Sequence, residues 1–98
     1  MTSELKVLLV DDRPDERNAL RRILGASDLS LSVVEECGEG AEAYNLAHEL
    51  TPDIIFVSFE EPTARALKAI ETLAVNTSSL VVAVSSLGDR EYLRRAMR

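Results

Sequence analysis

Residues 6–24 read KVLLVDDRPDERNALRRIL. An aliphatic run, Leu5 to Val10, meets two aspartates, Asp11 and Asp12, and then a proline that opens a segment of helical spacing. A short run with no polar alternation suits a strand covered on both faces. Pro14 suits the first position of a helix, where its missing N–H costs nothing. Leu20, Ile23 and Leu24 then share one helical face, while Arg13, Arg17 and Arg21 sit four apart on what the spacing makes a solvated side. A buried strand feeding a helix through a brief polar link is the repeating unit of α/β folds.

The rest of the chain repeats that unit. Further β-branched runs occur at LSVVEE (31–36), DIIFVS (53–58) and SLVVAVS (79–85). Between them, Ala43, Leu46, Ala47 and Leu50 form one helical stripe, and Ala66, Leu67, Ile70 and Leu73 another. A fourth helix is expected from Asp89, carrying Leu93, Ala96 and Met97. Strand–helix alternation with short links calls for a parallel sheet with helices on both faces. The second strand, ending in Glu35 and Glu36, suits an edge. The fourth is as apolar as the central strands, and an uncovered parallel edge is an association liability. A fifth strand and helix are therefore expected beyond Arg98, or else cover from a second copy.

Composition narrows the function. The 98 residues form one domain, 1–98, with 46% apolar and 29% charged residues. A net charge of −6 argues against nucleic-acid binding, which needs a basic surface. The apolar runs are too short to span a bilayer, and MTSELK has no signal-peptide pattern. Cys37 is the lone cysteine, so no internal disulfide can form; a cytoplasmic setting is expected. Cys37 itself reads as a small residue near a strand end.

In an open parallel sheet the chemistry gathers at the carboxyl ends of the strands. Those tips carry Asp11 and Asp12, then Ser58, then Ser85 and Ser86. Adjacent carboxylates suit Mg²⁺, but they also suit the positive end of the helix that Pro14 opens. His48 falls in the second helix and reads as an ordinary polar residue there.

At these tips the chain resembles the receiver domains of response regulators, the CheY-like family. KVLLVDDRPDERNALRRIL resembles the family's first strand, paired acids and helix, and GEGAEAYNLA the start of its second helix. PDIIFVSFEEP resembles its third strand and loop, and VVAVSSLGDREYLRRAMR its fourth strand, hydroxyl residue and helix. The resemblance implies a flavodoxin-like α/β fold of strand order 2-1-3-4-5, of which 2-1-3-4 falls within this chain. It further implies a Mg²⁺ site at Asp11 and Asp12, a switch hydroxyl at Ser85, and a third metal ligand from the backbone carbonyl of Glu60.

The phosphoacceptor position, an aspartate in the family, is Ser58. An alcohol is a weak nucleophile without a neighbouring base, and it removes one anionic metal ligand. Conventional aspartyl phosphorylation at Ser58 is thus excluded. Mg²⁺ is expected to bind weakly if it binds, no cofactor is required, and no enzymatic activity is expected. Asp53 lies at the other end of the strand and is no substitute. Glu60 and Glu61 carry fixed charge where phosphorylation would add it, though acids ahead of a helix opened by Pro62 are expected anyway.

These features imply an atypical receiver working as a phosphorylation-independent interaction or dimerisation module. FEEPTARALKAIE and DREYLRRAMR resemble the N-terminal receiver domains of TadZ/CpaE-type pilus-assembly proteins, in which a MinD-like ATPase domain follows. Such an output domain is accordingly expected beyond Arg98. The alternative is a two-component phosphorelay receiver still modulated by Mg²⁺ or phosphorylation. A small-molecule-binding flavodoxin-like protein fits less well, because the loops lack a Gly-rich phosphate cradle. The expected contact surface is Arg90, Tyr92, Leu93, Arg94 and Met97, apolar anchors in a basic rim suited to a protein partner or a homodimer. The same stripe also suits a helix packed on its own sheet.

Overall fold

The structure, a computed structural model, describes residues 4–61 and 63–85. Four strands form one parallel sheet in the order β2-β1-β3-β4, with β1 at Leu5–Val10, β2 at Leu31–Cys37, β3 at Ile54–Phe59 and β4 at Leu80–Ser85. Helix α1 spans Pro14–Gly25, α2 Gly40–Leu50 and α3 Ala64–Asn76. The strands match the sequence expectation to within a residue at each end. β2 is indeed an edge. The expected fourth helix, with Arg90, Tyr92, Leu93, Arg94 and Met97, lies outside the described residues, as does Ser86.

Side chains on a strand alternate between the two faces of a sheet. Leu8 and Val10 of β1 therefore join Ile55, Val57 and Phe59 of β3 under α2 and α3, where Ala43, Ala47, Ile70 and Leu73 close the core. Val7 and Leu9, equally buried, point to the α1 face. Leu8 and Leu9 are both wholly buried, and truncating either to alanine costs about 2–5 kcal/mol. A register shift between Val7 and Leu8 takes the pairing from Val33 to Glu35, so β2 carries a bulge at Val34. That single extra residue sets Glu36 level with Leu9 on the α1 face and Cys37 level with Val10 in the core.

At the amino ends of the strands, Asp53 acts as a clamp. Its carboxylate accepts from the Lys6 backbone N–H at 2.7 Å, and its carbonyl accepts from Leu80 N at 3.0 Å. Asp53 thus ties β1, β3 and β4 together far from the tips that carry the acids.

Two helix expectations need correction. Helix α3 starts at Ala64, not at Pro62, because the Thr63 hydroxyl accepts from Ala66 N at 3.1 Å and so caps it. Helix α1 has no buried residue: Leu20 and Leu24 are half-covered and Ile23 is exposed. Of the arginines expected on a solvated side, Arg21 is indeed exposed, whereas Arg13 and Arg17 are partly covered, as described below.

The close approach of α2 to α3 gives a first test. A Cβ on Gly40 would lie 2.8 Å from Ala69 Cβ, whereas one on Gly25 would meet nothing within 4 Å. Gly40→Ala is expected to destabilise by about 1–3 kcal/mol, and Gly25→Ala to leave stability unchanged or raise it by up to ~1 kcal/mol. Urea denaturation of the two variants checks both. Cys37 gives a second test. Burial, with Glu42 nearby, pushes its thiol from 9.0 up to about 11. The stability this represents is present below pH 9 and is lost as pH rises from 9 toward 11. At pH 8 iodoacetamide should label the native thiol at least roughly a hundredfold more slowly than in urea, following the thiolate fraction.

Candidate functional site

Three polar residues are buried among the described ones, Asp11, Ser58 and Ser85, and all three stand at carboxyl ends of strands. Val10 is level with Val57, so Asp11 and Ser58 follow side by side at the tips of β1 and β3. Asp12, Glu60 and Glu61 are exposed around them.

The group that joins Asp11 to Ser58 is Arg13. Its Nε donates to Asp11 Oδ1 at 3.0 Å and its Nη2 to Asp11 Oδ2 at 3.1 Å, a two-pronged pair that uses both carboxylate oxygens. Its Nη2 also reaches Ser58 Oγ at 3.3 Å, and its backbone N–H donates to Asp11 Oδ1 at 2.9 Å. The Asp11 side chain has no solvent exposure, and that of Arg13 has 25%. The Asp11 hydrogen bond holds the Arg13 proton more firmly than usual, and the charges of Glu16 and Glu60 add to it against the cost of burial.

Local sequence explains why Arg13 points here. With Pro14 opening the helix, residue 13 is left outside it as the N-cap, with extended φ and ψ of −110° and 106°. An extended backbone turns the side chain away from the helix surface and over the strand tips. Spacing alone had grouped Arg13 with Arg17 and Arg21 on one helical stripe; Pro14 was the signal that it belongs elsewhere. The N-cap residue Arg13 makes no side-chain cap bond, and the Asp11 carboxylate meets the helix start by accepting from the Arg13 backbone N–H.

The other two arginines of the stripe link α1 to the sheet, Arg17 partly covered and Arg21 from the exposed surface. Arg17 Nη1 donates to the Asp11 carbonyl at 2.8 Å, and its buried Nε, which has no aligned acceptor among the described residues, lies 3.4 Å from Glu36 Oε1. Arg21 Nε meets Glu36 Oε2 at 2.8 Å. Glu36 reaches these partners because the β2 bulge set it on the α1 face. The periodicity did not assign these partners: adjacent Val33 and Val34 break the alternation of β2, but the break does not say which face Glu36 joins.

On the other side of the tips, Ser85 Oγ donates to the Glu60 carbonyl at 3.3 Å, so the expected switch hydroxyl and the expected carbonyl ligand bond each other. His48 is no base for Ser58. It packs edge-on against Tyr44, ring centroids 4.6 Å apart, and lines a hollow with Thr51, Thr77 and Ser79 at the amino ends of the strands. The Arg13 guanidinium, which does touch Ser58, is a donor only and cannot take its proton.

The family's divalent cation fits these residues poorly. Both Asp11 oxygens are committed to Arg13, position 58 offers a neutral hydroxyl, and no group of three or more His, Cys, Asp or Glu side chains among the described residues converges on a metal position. No described helix is long and apolar enough to cross a membrane.

The fold agrees with that of solved relatives. BtsR of Salmonella typhi, a transcriptional regulatory protein, is 36% identical over 69 residues, which cover 70% of this chain and 28% of that protein. Protein-glutamate methylesterase/protein-glutamine glutaminase 2 of Carboxydothermus hydrogenoformans is 34% identical over 91 residues, 93% of this chain and 25% of the relative. The chain thus spans about a quarter of the length of these curated relatives. Among solved structures, the response regulator domain of Thermotoga maritima CheB superposes with a TM-score of 0.76 at 28% identity, covering 97% of this chain and 74% of that one. Residues 7–98 match the response regulator receiver domain family, and the chain belongs to that family.

Proposed function

We propose that this receiver acts through protein contact without aspartyl phosphorylation. The observation that carries the reading is Ser58, which the family resemblance aligns with the acceptor: at the tip of β3 it is buried and hydrogen-bonded to a guanidinium. Among the described residues no base is bonded to this hydroxyl, and its neighbour is a guanidinium, which stays protonated at any working pH. The conserved-fold surfaces, not the tip, then do the work, with a protein partner or a second copy of the chain as the counterpart. The setting that FEEPTARALKAIE points to is pilus assembly or localisation, by its resemblance to TadZ/CpaE-type receivers.

A second reading has its own support. The relatives include a transcriptional regulatory protein and a protein-glutamate methylesterase, and the family resemblance implies for Asp11, Asp12 and Ser85 the roles of paired acids and switch hydroxyl. On that reading the domain responds to Mg²⁺ or to a phosphodonor by an unusual route.

Intact mass after prolonged incubation with acetyl phosphate and MgCl₂ separates the two. No phosphoryl adduct is expected on the wild-type chain; a near-stoichiometric adduct on any residue overturns the proposal and supports the relay. Sedimentation equilibrium tests the counterpart. Self-association is expected as the concentration rises, and a monomer throughout the range transfers the role to a different protein partner.

A further inference from the structure

The tip of β1 places a buried carboxylate under a partly exposed guanidinium where the family resemblance puts the metal. We infer that Arg13 is the resident cation of this site, so that the strand tips are closed by the chain itself and take no divalent metal. The inference concerns the cation and stands apart from whether Ser58 can be phosphorylated.

Charge is the first ground. Three strand-tip carboxylates around a divalent cation carry one net negative charge. Asp11, Asp12 and the Arg13 guanidinium, with neutral Ser58, carry the same. The loss of a carboxylate at position 58 and the placement of an arginine at position 13 therefore compensate each other. Ser58 supplies a hydroxyl that accepts from Arg13 at 3.3 Å, so the substituted residue is itself part of the guanidinium's seat.

Space is the second ground. Mg²⁺ needs near-octahedral oxygen ligands at about 2.0–2.1 Å. Arg13 nitrogens stand 3.0 and 3.1 Å from the two Asp11 oxygens, and an ion bound to either oxygen would face a like charge at close range. Entry of a metal would require Arg13 to leave. It would then give up the two-pronged pair and the Ser58 bond in exchange for a site with one buried carboxylate and one exposed one. Guanidinium is weakly hydrated and matches a carboxylate with its fork, whereas Mg²⁺ dehydrates reluctantly, so the exchange runs against the metal. Pro14 makes the arrangement durable, because it keeps residue 13 outside the helix and in the extended conformation the contact needs.

The test titrates MgCl₂ into the ¹⁵N-labelled chain at constant ionic strength and follows the amides of residues 10–13 and 58–60. Wild type is expected to show no saturable shift and no change in thermal midpoint. Arg13→Ala and Arg13→Met, the latter retaining the side-chain volume, leave Asp11 without its cation. Both are expected to gain a saturable Mg²⁺ response at these amides, at least tenfold tighter than wild type, together with a midpoint that rises with Mg²⁺. If either variant folds only when MgCl₂ is present, that also supports the inference. Saturable wild-type binding as tight as in the variants overturns it, and so do folded variants that ignore the metal or variants that fold under neither condition. Wild-type Mg²⁺ binding without a phosphoryl adduct would sink this inference and leave the proposed function standing.

Discussion

The Asp11 carboxylate is the constraint around which the receiver tip is arranged. It is a charge with no solvent contact, in a sheet whose neighbouring side chains are aliphatic. Such a group persists only if a counter-charge and hydrogen bonds replace its water. Arg13 supplies both, and Arg17 holds the Asp11 carbonyl from the next turn. Removing one partner of a buried pair costs about 3–5 kcal/mol, less where one partner keeps some solvent, as Arg13 does. Two carboxylate bonds, the Ser58 contact and the N-cap geometry of α1 all follow from satisfying that one charge.

The scaffold divides its labour along the strand axis. At the amino ends, Asp53 bonds to the backbone of Lys6 and Leu80 and fixes the strands relative to one another. In the middle, Leu8, Ile55, Ala83 and the small residues of α2 pack without polar atoms. The small side chains matter because they let α2 and α3 approach until Gly40 has no room for a Cβ. Among the described residues the buried polar side chains stand at the carboxyl ends, away from the aliphatic core that holds the fold.

The sheet was legible in the sequence because its signal is redundant. Four aliphatic runs, each followed by helical spacing, point to one topology, and the paired acids with the Pro-Asp-led third strand point to one family. The start of α3 was misplaced because a threonine cap outweighed a nearby proline. Arg13 was misassigned because four-residue spacing treats it as helical, while Pro14 had already excluded it. Glu36 was hidden by the Val34 bulge, which shifts the register by one residue and reverses the faces beyond it. Local capping and irregular pairing set the geometry of the tip, and periodicity is blind to both.

Helix α1 is joined to the sheet in an unusual proportion. It buries no residue fully and leaves Ile23 exposed, and its polar links to the sheet are Arg17 and Arg21, reaching the Asp11 carbonyl and Glu36, with Arg13 on Asp11 just ahead of it. Links of that kind come apart together once their shared carboxylates lose their partners, whereas apolar packing yields piecemeal. Of the three described helices α1 is therefore the one expected to open locally most readily, and its amides to exchange hydrogen ahead of those of β1 beneath it.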